Sequence, residues 1–128
     1  MEKTITIDGK PTVFKCTGGF LLRYRELTGR DPITDIGQLD SLPKNKQKVN
    51  VQDLSTEDFM LLYNLIWVMA KTANPDIPDL IDWIDSFNDF PVVDIFVELK
   101  DLVIKAFKSN LTMRDVKKKA PAVQRKTR

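Results

Sequence analysis

The segment that most constrains the fold is FMLLYNLIWVMA, residues 59–70, in which Asn64 is the only polar interruption. The four residues before it, STED, are typical of a helix start, because a serine can cap the helix and acidic residues suit its first turn. A helix that is apolar nearly all round must be enclosed by other elements or covered by a partner. Twelve residues are too few to span a membrane, which takes about 18 or more. We therefore predict a buried central helix from Thr56 to Ala73.

The N-terminal residues alternate in the manner of strands. Residues 4–7 (TITI) and 12–16 (TVFKC) are separated by DGKP, and Asp-Gly is a strong hairpin signal. An isolated hairpin is only marginally stable, so it must pack Ile5, Ile7, Val13 or Phe14 on other elements. This pattern predicts an N-terminal β-hairpin that lies on the helices.

Helical periodicity follows the hairpin. A first helix places Phe20, Leu21, Tyr24 and Leu27 on one face and ends at Thr28-Gly29. A short second helix begins at Asp31-Pro32, with Ile33, Ile36 and Leu39 directed inward. Residues 40–53 contain three lysines and few large apolar side chains, which predicts a solvated, mobile loop.

Two further helices follow the central one. Pro78 opens a helix whose apolar face consists of Leu80, Trp83, Ile84 and Phe87. Residues 92–108 form the clearest amphipathic helix, with its inner face at Val92, Ile95, Phe96, Leu99, Leu102, Val103 and Ala106. The 128 residues suit one domain. We predict a mostly α-helical α+β fold: a hairpin packed on about five helices in a single globular domain of residues 1–115, and a disordered, flexible basic tail of residues 116–128.

The residue inventory excludes most catalytic chemistry. The chain has no histidine and one cysteine, Cys16, so no imidazole base, Cys-His pair or histidine zinc ligand can form. Cys16 lies in an alternating segment, which favours a buried apolar role. We predict a non-enzymatic protein with no catalytic, cofactor-binding or metal-binding residues. The N-terminus lacks the apolar region of a secretory signal, so we expect the cytoplasm.

Acidic residues are concentrated between positions 76 and 98. This stretch has seven acids and no basic residue, and clustered carboxylates can bind a metal or act as an acid and base pair. Their spacing on two helices matches outward faces, and no calcium-loop motif is present. A solvated face is the favoured interpretation, and an acidic docking surface is the alternative. The aromatic residues Tyr24, Tyr63, Trp67, Trp83 and Phe87 are likewise expected in the core, with some facing a partner.

Charge divides the chain into two unequal parts. Residues 1–115 hold fourteen basic and eighteen acidic residues, a net charge of −4, whereas residues 116–128 carry +6. A basic tail can bind phosphates nonspecifically, but this one has no aromatic residue to stack on bases. A solubilising extension is therefore favoured over nucleic-acid binding.

Two stretches resemble the tail assembly chaperones of long-tailed, siphovirus-type phages and prophages of Gram-positive bacteria. The first is ITIDGKPTVFKCTGGFLLRYRELTGRDPITDI, residues 5–36, and the second is LIWVMAKTANPDIPDLIDWIDSF, residues 65–87. The family pattern has an I-x-I-D-G-K strand, a strand ending F-K-x-T, a helix with Y-R and G-R-D, then W-x-x-A-K-x-A-D-P and W-[LI]-D-x-F. The departures, which leave the turn and cap roles intact, are Leu27-Thr28 before Gly29, Asn74 in place of Asp, and Pro32 after Asp31.

The resemblance implies a small late protein of the host cytoplasm that assists virion assembly and is absent from the finished tail. Its partners would be the tape measure protein, which it keeps soluble, and the tail tube protein, which it helps recruit; self-association is also open. The features we expect to contact such partners are the apolar helix and the acidic region that follows it. The candidate residues are Met60, Tyr63, Trp67, Asp79, Asp82, Trp83 and Asp85.

The resemblance also implies a longer product made by ribosomal frameshifting. Consecutive lysine codons are rich in adenine, so Lys117, Lys118 and Lys119 are the candidates for a slippery coding sequence. Two alternatives from other classes remain: a small nucleic-acid-binding or regulatory protein that uses the basic tail, and a structural tail or connector subunit.

Overall fold

A computed structural model describes residues 1–45 and 48–111. Strands β1 (Glu2–Ile7) and β2 (Lys10–Lys15) precede helices α1 (Phe20–Thr28) and α2 (Pro32–Gly37). Short strands β3 (Lys44–Asn45) and β4 (Lys48–Val49) come next, between 3₁₀ turns at Gln38–Ser41 and Val51–Asp53. Helices α3 (Thr56–Ala73), α4 (Leu80–Asp85) and α5 (Val92–Leu111) complete the described chain. The predicted α+β arrangement of a hairpin and five helices is confirmed, and the predicted tail and its boundary at residue 115 lie outside the described residues.

The hairpin has a two-residue connection. Ile7 pairs with Lys10, and both connecting residues have positive φ, 53° at Asp8 and 78° at Gly9. These angles match a type I′ turn, whose twist suits the flanking strands. Ile5, Ile7 and Phe14 are buried, as predicted, whereas Val13 is exposed because it lies on the opposite face.

Helix α3 is the centre of the fold. A capping box between Ser55 and Asp58 starts it, since each side chain accepts a hydrogen bond from the other residue's backbone N–H. Its buried surface packs against β2, α1 and α5, with a smaller contact to α4. The sequence therefore predicted correctly that other elements enclose this helix.

Two local predictions were wrong. Ile33 is exposed rather than inward, because α2 is too short to bury more than one face, whose apolar members are Pro32 and Ile36. Residues 40–53, predicted as a solvated loop, contain the end of the first 3₁₀ turn, a two-stranded ribbon and the second 3₁₀ turn. Leu42 anchors this segment because its side chain is buried in the core.

Candidate functional site

Both candidate tryptophans are core residues. Trp67 and Trp83 are 6% and 5% exposed, so in this structure neither offers a surface to a partner. The Nε1 of Trp67 donates a hydrogen bond to the Pro78 carbonyl oxygen at 2.9 Å, which satisfies the polar end of the buried ring. That bond ties the C-terminal half of α3 to the segment that precedes α4.

Trp83 belongs to an aromatic cluster with Tyr63, Phe87 and Phe90. Trp83 makes edge-to-face contacts with Phe87 and Phe90, with ring centroids 5.5 Å and 5.6 Å apart. Tyr63 from α3 stacks on Phe90 at 6.1 Å. These rings pack against one another and hold the α4–α5 connection against α3. They do not form an open pocket for a ligand.

The remaining candidates do lie at the surface. Asp79, Asp82 and Asp85 are exposed on and beside α4, and Met60 is exposed at the start of α3. Ile81, between these acids, is 73% exposed. Among residues 1–45 and 48–111, no three or more acidic or cysteine side chains group closely enough to hold a metal ion.

The tip of the hairpin is fastened to the α4–α5 connection. The Asp8 carboxylate accepts a hydrogen bond from the Asn88 backbone N–H at 2.9 Å. The Lys10 Nζ donates to the Ser86 carbonyl oxygen at 2.9 Å and lies 5.0 Å from the centre of the Phe87 ring. Asp8 and Lys10 of the Asp-Gly-Lys turn therefore hold the hairpin against the α4–α5 connection, a contact that the sequence did not predict.

A buried polar group also escaped prediction. The Tyr24 hydroxyl donates to Asp35 Oδ2 at 2.6 Å, and Arg30 donates to both carboxylate oxygens, at 2.7 Å from Nε and 3.2 Å from Nη2. Burial and the adjacent carboxylate raise the pKa of Tyr24 far above its usual range. The hydrogen bond to Asp35 raises the pKa of Arg30 above its usual value. The only sequence signal was the place of Asp35 beside Ile36 on the inner face of α2.

Cys16 is buried, as its alternating segment predicted. Burial raises the pKa of its thiol to about 11, and the nearby N-terminal ammonium opposes that shift only in part. Since the thiolate is the nucleophilic form, this side chain is poorly suited to covalent chemistry at neutral pH.

An apolar groove separates α5 from the segment that contains the 3₁₀ turns. Its volume is about 520 Å³. Leu39, Leu42, Val51, Val93, Phe96 and Val97 supply most of its apolar lining. Asp94, Glu98 and Lys100 place charges at the α5 side. Pockets of this size and composition suit apolar ligands or side chains. The two walls of this groove are about 50 residues apart in the sequence, so residue spacing did not predict it.

The described helices include none that is long and apolar enough to cross a membrane. The lysines Lys117, Lys118 and Lys119 lie outside the described residues, so the structure does not bear on the frameshift prediction. No known family model, curated protein or solved structure matches the chain.

Proposed function

We propose that this protein is a phage tail assembly chaperone, acting in the host bacterial cytoplasm and absent from the finished virion. It binds the tape measure protein, keeps it soluble and helps recruit tail tube subunits. The proposal begins from the resemblance of residues 5–36 and 65–87 to that family.

The observation that carries the proposal is the contact between these two stretches. Lys10 belongs to the first, and its partners Ser86 and Phe87 belong to the second. Two motif residues of the second stretch, Trp67 and Lys71, bond to carbonyl oxygens of the following turn, at Pro78 and Pro75. Residues that make up the resemblance thus contact one another where the hairpin, α3 and α4 meet. These contacts support an architecture shared with the family over a chance similarity of sequence.

The surface is suited to the proposed task. A long helix with an apolar side aggregates if that side is left bare, and a chaperone must cover it reversibly. The groove beside α5 and the exposed side chain of Val97 supply apolar surface that is already formed in the free protein. These features support binding to a helix.

Co-expression with the tape measure protein encoded nearby tests the proposal. We expect the soluble fraction of the tape measure protein to rise and the two proteins to purify together. Expression of the tape measure protein alone, and with an unrelated helical protein of the same size, supplies the controls. No gain in solubility together with no co-purification would refute the proposal, and finding the protein in purified virions would favour a structural subunit.

The frameshift is tested on the messenger. We expect a slippery heptamer at the codons for Lys117–Lys119, with an overlapping frame downstream. A reporter fused in the shifted frame should be translated, and synonymous lysine codons that break the adenine run should abolish it. Equal reporter signal from both constructs would exclude frameshifting at this place.

A further inference from the structure

Helix α5 has a second apolar stripe beside the one that faces the core. Val93, Val97, Ile104 and Phe107 follow one another with Lys100 between them, at alternating steps of four and three residues. Val97 is 54% exposed, whereas Val93, Ile104 and Phe107 are half-buried, since each packs partly against the core and leaves the rest of its side chain at the surface. Steps of four and three are the heptad spacing by which one helix packs along another. The stripe covers about two heptads, roughly 21 Å of helix.

The first half of this stripe is also one wall of the groove. Val93 and Val97 face Leu39, Leu42 and Val51 across it, where Leu39 and Leu42 are buried and Val51 is exposed at the rim. The groove therefore follows α5 for about two turns, from residue 93 to residue 100. The stripe and the groove share residues 93–100, and Ile104 and Phe107 continue the stripe beyond the groove.

The spacing indicates that a helix occupies this surface. An extended strand presents alternate residues, which does not match steps of four and three, whereas a helix laid along α5 does. A second copy of α5 is a poorer match because of charge. Lys100 is the midpoint of the stripe, so a parallel pair in register and an antiparallel pair centred on the stripe would each set Lys100 against Lys100.

The charges along the stripe define the partner further. Lys100 occupies one position of the seam, and Asp94 and Asp101 are exposed along its edge. Neither acid forms a salt bridge with another residue among positions 1–45 and 48–111. A partner with an acidic residue in its apolar ridge and basic residues beside the ridge would complement all three charges.

We propose that the heptad stripe of α5 and the adjoining groove form a docking site for an amphipathic partner helix, whose apolar ridge carries an acidic residue opposite Lys100 and basic residues opposite Asp94 and Asp101. The inference rests on the proposed function, in which that helix belongs to the tape measure protein. It moves the expected contact surface from the tryptophans of α3 and α4 to α5.

The test compares two exposed apolar residues. Val97→Asp places a charge in the seam, and Leu22→Asp is the matched control, because Leu22 is 79% exposed on α1 and outside the groove. Each variant is co-expressed with the tape measure protein. Separately, the purified variant is titrated with purified helical segments of the tape measure protein to measure the dissociation constant. We expect Val97→Asp to weaken binding at least about tenfold, since an unpaired charge would be buried. Leu22→Asp should stay within about twofold of the wild type, as surface changes away from an interface usually do.

A second variant keeps the test independent of any folding defect. Lys100→Glu changes an exposed side chain and should weaken binding, and replacing the opposing acid of the tape measure segment with lysine should restore it. If the wild-type protein solubilises the tape measure protein and both Val97→Asp and Lys100→Glu bind it as tightly as the wild type, the docking site is overturned and the proposed function stands. Failure of the wild-type protein to bind would overturn both. If the wild-type protein is a dimer and Val97→Asp is a monomer, the surface binds a second copy of this chain, and the proposed partner helix is overturned.

Discussion

The Asp8 carboxylate accepts a hydrogen bond from the backbone N–H of Asn88, 80 residues further along the chain. Beside it, the Lys10 side chain donates a hydrogen bond to the Ser86 carbonyl oxygen. Two residues at the tip of the N-terminal hairpin are therefore hydrogen-bonded to the connection between α4 and α5. This contact fixes the start of α5, where the groove begins.

Replacing Asp8 with alanine should destabilise the protein by about 2 kcal/mol. The variant loses a hydrogen bond to a charged acceptor and places alanine at a φ of 53°, which asparagine and aspartate tolerate better. Asp8→Asn is the matched control, because its side-chain oxygen can still accept and it suits the left-handed region. Urea unfolding measures both. Equal stability of Asp8→Ala and the wild type would show that the contact contributes nothing in solution.

Asp35 should be the most sensitive member of the buried polar group. Asp35→Ala leaves the Tyr24 hydroxyl and the Arg30 guanidinium without their shared acceptor, and we expect a loss of about 3 kcal/mol. Tyr24→Phe removes one hydrogen bond and leaves the ion pair intact, at a cost of about 1.5 kcal/mol. Chemical unfolding of both variants gives the comparison. A larger loss for Tyr24→Phe than for Asp35→Ala would contradict this order.

The sequence predicted the elements whose signals are local. The Asp-Gly turn predicted the hairpin, and the STED cap with its apolar run predicted α3 between the bounds that the structure has. Ile33 was assigned inward, and the choice between Val13 and Phe14 was left open, because alternation and periodicity identify an apolar face without telling which neighbour covers it. Tertiary packing decides that question.

The candidate site was less predictable for the same reason. The apolar pattern of α3 and α4 suggested Trp67 and Trp83 as contacts, but the structure encloses both. The stripe at Val93, Val97 and Phe107 was hidden because the stronger core stripe of the same helix dominates its periodicity. Val93 and Val97 line a groove only because the distant segment around Leu42 lies beside α5, and sequence spacing alone could not place it there.

Stability should fall in alkali partly through Cys16. Its pKa is raised from 9.0 to about 11 in the folded state, so the protonated thiol is favoured there. The resulting stabilisation is complete below the unfolded pKa and is lost as the pH rises through the folded one, because the unfolded chain releases this proton first. Between pH 8 and pH 10 we expect this thiol to account for about 1 kcal/mol of the loss.

The free energy of unfolding of the wild type and of Cys16→Ala, measured at both pH values, isolates the cysteine contribution. The alanine variant should be less stable at pH 8, because it leaves a small cavity, but it should lose less stability between the two values. Other alkaline titrations are common to both proteins and cancel in the comparison. An identical loss in the two proteins would contradict the raised pKa.

Gly29, which precedes α2, and Gly37, the last residue of α2, should respond to alanine in opposite directions. Gly29 ends α1 with a φ of 74°, and its N–H bonds to the Arg25 carbonyl oxygen, so Gly29→Ala should cost about 1 kcal/mol through strain at a left-handed position. Gly37 has ordinary helical angles, and an added Cβ there would meet no atom within 4 Å. Gly37→Ala should therefore stabilise the protein by about 0.5 kcal/mol, because alanine lowers the entropy of the unfolded chain. Thermal and urea unfolding of the two variants provides the measurement, and a shift of the same sign in both would show that backbone conformation at these positions does not decide the outcome.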